Sequence, residues 1–220
     1  YQTRKIIPLG IFLGLTIWCR PDGFVLWIAI ALDFFLRQNY FLRNNKSEEI
    51  ITRKEISTAF SIAFVFAGLY FTFNYLLSGS FLPNTFQAKL EYYQNNDRMQ
   101  FLENEVIKYF SESEFILTWI PFLIGVFVIF KSFLKREQNN LLVYLLFIIG
   151  LIAVYYIKLP FAHRFGRYLI PVIPFYIFIA FWGVKLVIDF IYIRMTKGKS
   201  QLPNMIFIVY LVTSLVLVIN

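Results

Sequence analysis

The sequence predicts an all-α protein, a polytopic transmembrane helical bundle with about seven spans and an outer loop carrying short interfacial helices. Of its 220 residues, 59% are hydrophobic and only 15% are charged, whereas soluble domains are about half apolar and a quarter charged. The apolar residues also form seven separate runs with polar segments between them. A chain with these features is an integral membrane protein that sits in a lipid bilayer.

The length of each apolar run is compared with the roughly 20 residues that a helix needs to cross a membrane. The first two runs are short, so the turn between them is predicted to lie below the membrane surface. Irregular polar backbone at that depth is tolerated only where it lines protein or a water-filled cavity. The predicted spans are 5–19, 23–36, 57–77, 115–133, 141–157, 168–190 and 205–219.

The distribution of lysine and arginine indicates the orientation. Alternate polar regions hold 14 and 7 of these residues, and the richer side is expected to be cytoplasmic. The turn 20–23, the stretch 81–89 and the loop 158–167 then all open on the outer face. The net charge of +8 does not predict nucleic-acid binding, because the basic residues are spread between apolar runs rather than gathered in one stripe.

No linker or internal repeat divides the chain, so residues 1–220 are predicted to form a single transmembrane domain. The chain begins at Tyr1 rather than at Met, and we expect it to be a portion of a longer protein that lacks upstream spans and the first outer loop. The single cysteine, Cys19, excludes a disulfide framework and is expected to be a small buried residue. His163 is the single histidine, so no metal site is predicted.

The stretch 81–89 has the features of a helix start at the outer surface. Pro83 precedes Asn84, a favourable N-cap, and Gln87 follows three residues later as in a capping box. The N–H groups of the first turn, with Lys89 just beyond, favour an anion. The stretch is a candidate phosphate cradle, and the alternative is a capped helix that re-enters the interface.

Beyond this start, apolar residues recur at helical spacing with charges between them. Met99, Leu102, Val106 and Phe110 form this series. The pattern predicts an amphipathic helix that lies in the membrane interface.

The turn Arg20-Pro21-Asp22-Gly23 places charges between two short apolar runs. Asp22 either orients Arg20 or holds the turn through side-chain hydrogen bonds. Alternatively, Arg20 meets a phosphate through two parallel N–H groups. Both readings stay open from the sequence.

Two other groups of charges receive different interpretations. Arg164 and Arg167, beside His163, form a compact cationic site that either binds phosphate or anchors the loop at the interface. The remaining pairs are four residues apart near helix ends, where pairing and snorkelling explain them. These pairs are Asp33 with Arg37 and Lys185 with Asp189.

Three short motifs, in this order along the chain, carry a family resemblance: GLTIWCRPDG at 14–23, SGSFLPNTFQAK at 78–89 and RYLIP at 167–171. Together they resemble the GT-C class of membrane glycosyltransferases, with the closest likeness to bacterial arabinofuranosyl- and mannosyltransferase-like members related to protein O-mannosyltransferases. The resemblance implies that the donor phosphate is bound by Arg20, Asn84, Thr85, Lys89, His163, Arg164 and Arg167. It implies structural turns at Pro21, Asp22, Gly23 and Pro83.

The resemblance also implies the reaction. A sugar would move from a polyprenyl-phosphate donor to a hydroxyl of a glycan, lipid or protein acceptor, outside the bacterial inner (cytoplasmic) membrane, with inversion at the anomeric carbon. The general base of such enzymes is an acidic residue in the first outer loop, expected here upstream of Tyr1, and Asp22 is a weaker candidate. A divalent metal is an optional cofactor, although no acidic ligand cluster in the sequence points to one.

Two other functions stay open from the sequence. An O-antigen ligase or polymerase would also read a lipid pyrophosphate with outer-face Arg and His, but it predicts a larger outer loop. A transporter or lipid flippase predicts charged groups inside the spans near the membrane midplane.

Overall fold

The structure, a computed structural model, describes residues 6–38, 52–93, 97–112, 114–135, 137, 139–158 and 168–195. Every regular element in these ranges is helical, which confirms the all-α prediction. Three helices are long and apolar enough to span a membrane: Arg53–Ser78, Ile116–Leu134 and Ile170–Phe190. The count of seven spans is not reached in these ranges, since Ile6–Cys19 and Leu142–Lys158 are shorter apolar helices and the run 205–219 lies outside the described residues.

The described helices fall into two compact units. Unit 1 comprises Tyr1–Phe101 with Ile149–Phe161, and unit 2 comprises Leu102–Ile148 with Ala162–Asn220. The α-helices are α1 (Ile6–Cys19), α2 (Phe24–Leu36), α3 (Arg53–Ser78), α4 (Asn84–Tyr93), α5 (Arg98–Gln100), α6 (Lys108–Glu112), α7 (Trp119–Leu134), α8 (Leu142–Lys158) and α9 (Ile173–Met195). Shorter 3₁₀ segments cover Pro21–Gly23, Glu114–Thr118 and Ile170–Val172, and Phe101–Ile107 is a π-helix.

In unit 1, α1 and α3 pack closely because small residues line their contact. A Cβ added at Gly10 would lie 2.6 Å from the carbonyl oxygen of Ala59, and one added at Gly14 would lie 2.5 Å from Cβ of Phe66. Glycines four residues apart allow helix backbones to approach closely in membranes. Since Gly10 meets Ala59 and Gly14 meets Phe66, the two helices run in the same direction.

Helix α2 returns antiparallel to α1 and is held by an indole. Trp27 Nε1 donates to the carbonyl oxygen of Leu13 at 2.9 Å, and its ring meets Phe64 edge-on with centroids 5.3 Å apart. On another face, Val25 lies close to Gly150 of α8, where an added Cβ would be 2.9 Å from Val25 Cγ1. The end of α8 therefore belongs to the core of unit 1.

In unit 2, α7 and α9 also pack through glycines and run in the same direction, since Tyr176 meets Thr118 and Phe122 near the start of both helices and Gly183 meets Gly125 further along. A Cβ at Gly183 would lie 1.9 Å from the carbonyl oxygen of Pro121, and one at Gly125 would lie 2.5 Å from that of Ile179. Beside this contact the hydroxyls of Thr118 and Tyr176 are 2.9 Å apart. The two backbones are in direct contact at Gly125 and Gly183, so a larger side chain does not fit at either position.

The predicted helix around residues 98–112 is present, but it buries a different set of residues from the one expected. Phe101, Glu105 and Phe110 are buried, whereas Met99 is exposed. The reason is the π-helix at Phe101–Ile107, whose i→i+5 hydrogen bonds place more residues in each turn than an α-helix does. Buried positions therefore follow spacings of four and five.

Two sequence interpretations of single residues are wrong. Cys19 is exposed, because α1 buries Gly14 and Ile17 and Cys19, two residues after Ile17, points to the opposite side. Lys185 places its Nζ 4.8 Å from the centroid of the Trp182 ring rather than pairing with Asp189. An ammonium over an indole face is a favourable cation–π contact.

Candidate functional site

The turn between α1 and α2 lies short of the end of α3. The 14 residues of α1 and the 13 of α2 span about 21 and 20 Å, against a hydrocarbon core of about 30 Å. At the turn, the Phe24 ring stacks on Phe71 with centroids 6.0 Å apart. Helix α3 continues from that level to Ser78, about 10 Å further. The turn is therefore recessed from the end of α3, and its depth in the membrane stays a prediction.

Each residue of the turn has a structural reason. Arg20 N donates to the carbonyl oxygen of Thr16 at 2.9 Å, and Gly23 N donates to that of Arg20 at 2.9 Å. Pro21 opens the 3₁₀ helix, where its fixed φ suits a first helical position. A Cβ at Gly23 would be 2.7 Å from the Thr16 carbonyl oxygen. Only glycine fits there without displacing α1.

Three polar side chains meet at this turn, and we call them the Arg–Asp–Tyr cluster: Arg20, Asp22 and Tyr155. Arg20 Nε donates to Asp22 Oδ1 at 3.0 Å, and Nη2 is 2.9 Å from Oδ2. Nη2 also donates to the Tyr155 hydroxyl at 2.9 Å, and that hydroxyl donates to Asp22 Oδ2. The side chains of Arg20 and Asp22 are 37% and 15% exposed, whereas Tyr155 is 3% exposed.

The cluster establishes the role of Asp22 toward Arg20. Of the two readings open from the sequence, the structure has the one in which Asp22 orients Arg20 through a two-point ion pair. The carboxylate of Asp22 accepts hydrogen bonds from Arg20 Nε and the Tyr155 hydroxyl and forms an ion pair with Arg20 Nη2, so Asp22 would have to lose contacts to act as a general base. A phosphate ligand for Arg20 stays a prediction.

Tyr155 is the member that sequence reasoning missed. It is separated from Asp22 by 133 positions and lies within an apolar run, where one tyrosine among many carries no local signal. The only hint is its hydroxyl, since a phenol buried in a membrane helix needs a hydrogen-bond partner. Nothing in the sequence identifies which partner that is.

The end of α8 lies at the same end of unit 1 as the turn. Gly150 meets Val25 and Tyr155 meets Asp22, so α8 runs antiparallel to α2 and reaches Lys158 beside the turn. His163, Arg164 and Arg167 lie outside the described residues, and so does their predicted convergence with Lys89.

The stretch 81–89 also begins at this end of unit 1. Helix α3 terminates at Gly79, whose φ of +70° is the left-handed conformation that favours glycine at a helix end. Helix α4 starts at Asn84, and Phe86 N donates to the carbonyl oxygen of Pro83 at 2.8 Å. Pro83, which has no N–H to satisfy, thus precedes the helix where Asn84 was predicted to cap it. The side chains of Asn84, Thr85 and Gln87 are outside the described set.

A second polar feature lies deeper in unit 1. Asp33 in α2 is 3% exposed, and its Oδ2 accepts a hydrogen bond from Arg37 Nε at 2.7 Å, which confirms the predicted pair. Its Oδ1 is buried without a hydrogen-bond partner among the described residues. Along α2, Asp33 is about 15 Å from Gly23. The carboxylate is therefore well separated from the Arg–Asp–Tyr cluster.

Among the described residues, no group of three or more His, Cys, Asp or Glu side chains is placed to hold a metal ion. Comparison of the chain with protein-family models, curated proteins and solved structures finds no match. A functional proposal therefore depends on the geometry of unit 1 and on the motif resemblance.

Proposed function

We propose that the chain is part of a membrane glycosyltransferase that moves a sugar from a polyprenyl-phosphate donor to an acceptor hydroxyl on the extracytoplasmic face. The observation that carries this proposal is the Arg–Asp–Tyr cluster, which lies below the end of α3. Polar groups at membrane depth are costly and mark functional sites by default. The reaction class comes from the motif resemblance, and the structure supports it only by bringing the turn 20–23 and the start of the stretch 81–89 to one end of unit 1.

In this proposal the donor phosphate lies at the start of α4. The first N–H groups of a helix and a nearby ammonium both favour an anion, and Lys89 stands in the second turn of α4. The departing phosphate would be stabilised there while a general base takes the proton from the acceptor hydroxyl. Because Asp22 is engaged by Arg20 and Tyr155, we place this base on a carboxylate outside the cluster.

The proposed orientation, in a bacterial inner membrane with the site facing outward, is tested by cysteine labelling. The native Cys19 is first replaced by serine, and single cysteines are then placed at Ser80 and at Asn45. A membrane-impermeant maleimide added to sealed cells should label the Ser80→Cys variant and not the Asn45→Cys variant. Labelling of Asn45→Cys from outside would reverse the orientation and contradict the proposal.

The reaction is tested with the full-length protein in proteoliposomes, supplied with undecaprenyl-phosphate-linked sugars and assayed for released undecaprenyl phosphate. Lys89→Ala should lower turnover at subsaturating donor by about 10- to 150-fold, since a charge-assisted contact is worth roughly 1.5–3 kcal/mol. Lys54→Ala, an exposed lysine at the opposite end of α3, is the matched control. If Lys89→Ala and Lys54→Ala are equally active, Lys89 does not bind the donor. A native protein without activity would contradict the proposed function.

One observation favours a second candidate, a transporter or flippase. Asp33 is buried, and one of its carboxylate oxygens has no hydrogen-bond partner among the residues that the structure describes; such a group marks ion and proton pathways inside membranes. Asp33→Asn would abolish transport of a coupled substrate if this function holds. A glycosyltransferase should keep most of its turnover in the same variant, because Asp33 is distant from the proposed donor site.

A further inference from the structure

We infer that the Arg–Asp–Tyr cluster binds hydroxyl groups of the sugar on the donor, and not the donor phosphate. This inference rests on the proposed glycosyl-transfer function and assigns a substrate group to its site. It differs from the role that the motif resemblance gives to Arg20.

Charge compensation is the first reason. Asp22 meets Arg20 at two points, 3.0 and 2.9 Å apart, so the cluster has no formal net charge when Tyr155 is neutral. An anion within hydrogen-bond distance of the guanidinium would also lie within a few ångströms of the carboxylate. The attraction of the anion to Arg20 and its repulsion from Asp22 then largely cancel. A phosphate gains less from such a pair than from helix N–H groups and an ammonium.

Hydrogen-bond chemistry is the second reason. An ionised phosphodiester only accepts hydrogen bonds, whereas a sugar hydroxyl both donates and accepts. The cluster presents guanidinium donors, carboxylate acceptors and a phenol side by side. Adjacent ring hydroxyls can therefore bridge Asp22 and Arg20 without leaving either of them unpaired.

The fixed geometry of the cluster is the third reason. Arg20 and Asp22 keep part of their surfaces exposed, while the buried Tyr155 contacts both of them from α8. Its single hydroxyl thus fixes the orientation of the ion pair. A rigid polar site that is built for substrate hydroxyls discriminates strongly against analogues that lack them. This arrangement suits selection among sugars better than binding of a phosphate common to all donors.

The test compares lipids whose phosphate carries a sugar with the same lipid phosphate without one, and its readout is the change in relative affinity on mutation. Binding of undecaprenyl phosphate and of undecaprenyl-phosphate mannose is measured on the full-length protein in nanodiscs, with the arabinofuranosyl lipid as a second glycosylated probe. At least one glycosylated lipid should bind the native protein more tightly than undecaprenyl phosphate. Tyr155→Phe should lower that preference by about tenfold, the equivalent of one hydrogen bond, and leave the affinity for undecaprenyl phosphate unchanged.

The neighbouring Tyr156→Phe is the matched control, because it removes a hydroxyl from the same helix without touching the cluster. Asp22→Asn, which keeps the shape of the side chain, should also reduce the preference for the glycosylated lipid. Thermal melting of each variant verifies folding.

Four results would overturn the inference. Equal weakening of both lipids by Tyr155→Phe would place the phosphate at the cluster, and equal effects of Tyr155→Phe and Tyr156→Phe would leave the cluster without a ligand. A native protein that binds undecaprenyl phosphate but prefers neither glycosylated lipid would also reject it. A native protein that binds none of the lipids would reject the proposed function as well.

Discussion

Both units bring two helices into close contact through glycines, and they differ in the polar and aromatic contacts that accompany this packing. In unit 1, Gly10 and Gly14 bring α1 against α3, and in unit 2, Gly125 and Gly183 bring α7 against α9. Unit 1 then adds the ion pairs Arg20–Asp22 and Arg37–Asp33 at its helix ends and interior. The α7–α9 pair of unit 2 adds a hydroxyl pair and stacked aromatic rings.

This difference indicates where function and stability reside. Charges in a membrane segment are costly and are kept where they have a role, whereas hydroxyls and aromatic rings stabilise helix contacts at little cost. Unit 1 therefore carries the candidate site on a framework that tolerates polar groups. The α7–α9 pair has the closer backbone contact, 1.9 Å for a Cβ added at Gly183, so it should be the more sensitive to added volume.

The largest expected effect tests that sensitivity. Gly183→Ala should destabilise the protein by about 3 kcal/mol or more, because the new methyl would lie 1.9 Å from a backbone oxygen of Pro121 and overpacking of this kind forces the backbone to move. Thermal or denaturant unfolding of the purified protein measures the loss.

Two other glycines make this comparison specific. At Gly14 an added Cβ would lie 2.5 Å from Phe66 Cβ, a smaller overlap than the 1.9 Å approach at Gly183, so Gly14→Ala should cost less. Gly68 has nothing within 4 Å of an added Cβ, and Gly68→Ala should be neutral or stabilising by about 0.5–1 kcal/mol. If Gly183→Ala is no worse than Gly14→Ala, the distinction between the units is wrong.

The intermediate effect concerns the polar end of unit 1. Asp22→Ala should lower stability by about 1–3 kcal/mol, because it leaves Arg20 and Tyr155 without their shared acceptor in a partly buried position. The double variant with Tyr155→Phe should be non-additive, since both changes disrupt one network. Unfolding free energies of the single and double variants measure the coupling. Additive losses would show that the three side chains do not act as one cluster.

The smallest expected effect is in unit 2. Tyr176→Phe should lower the free energy of unfolding by about 1 kcal/mol, since it removes the hydroxyl contact with Thr118 but keeps the aromatic rings in place. Tyr144→Phe is the control, because the Tyr144 ring also contacts α9, through Phe175. A loss as large as that of Asp22→Ala would mean that hydroxyls matter as much in unit 2 as charges do in unit 1.

Local patterns in the sequence predicted part of this architecture. Hydropathy located the apolar helices, the short length of two runs predicted the short helices α1 and α2, and i,i+4 spacing predicted the Asp33–Arg37 pair. Each of these depends on residues close in sequence. The start of α4 was placed one residue late, because a proline before a helix leaves more than one position able to begin it.

Features that depend on distant residues escaped the sequence analysis. The partner of Asp22 on α8 is an example, since 133 positions separate it from Tyr155. The buried face of residues 98–112 was missed because an α-helical period was assumed where the backbone is a π-helix. Lys185 had two favourable partners within four residues, Trp182 and Asp189, and spacing alone does not choose between them.

The separation between Asp22 and Tyr155 also has a consequence for biosynthesis. At about 5–20 residues per second, the ribosome needs roughly 7–27 s to make the 133 positions between them. Throughout that interval α1 and α2 must insert into the membrane without the hydrogen bond from Tyr155. Arg20 and Asp22, only two residues apart, can neutralise each other locally from the start and ease that entry. A chain without Asp22 would be most vulnerable during its own synthesis, before α8 exists to help it.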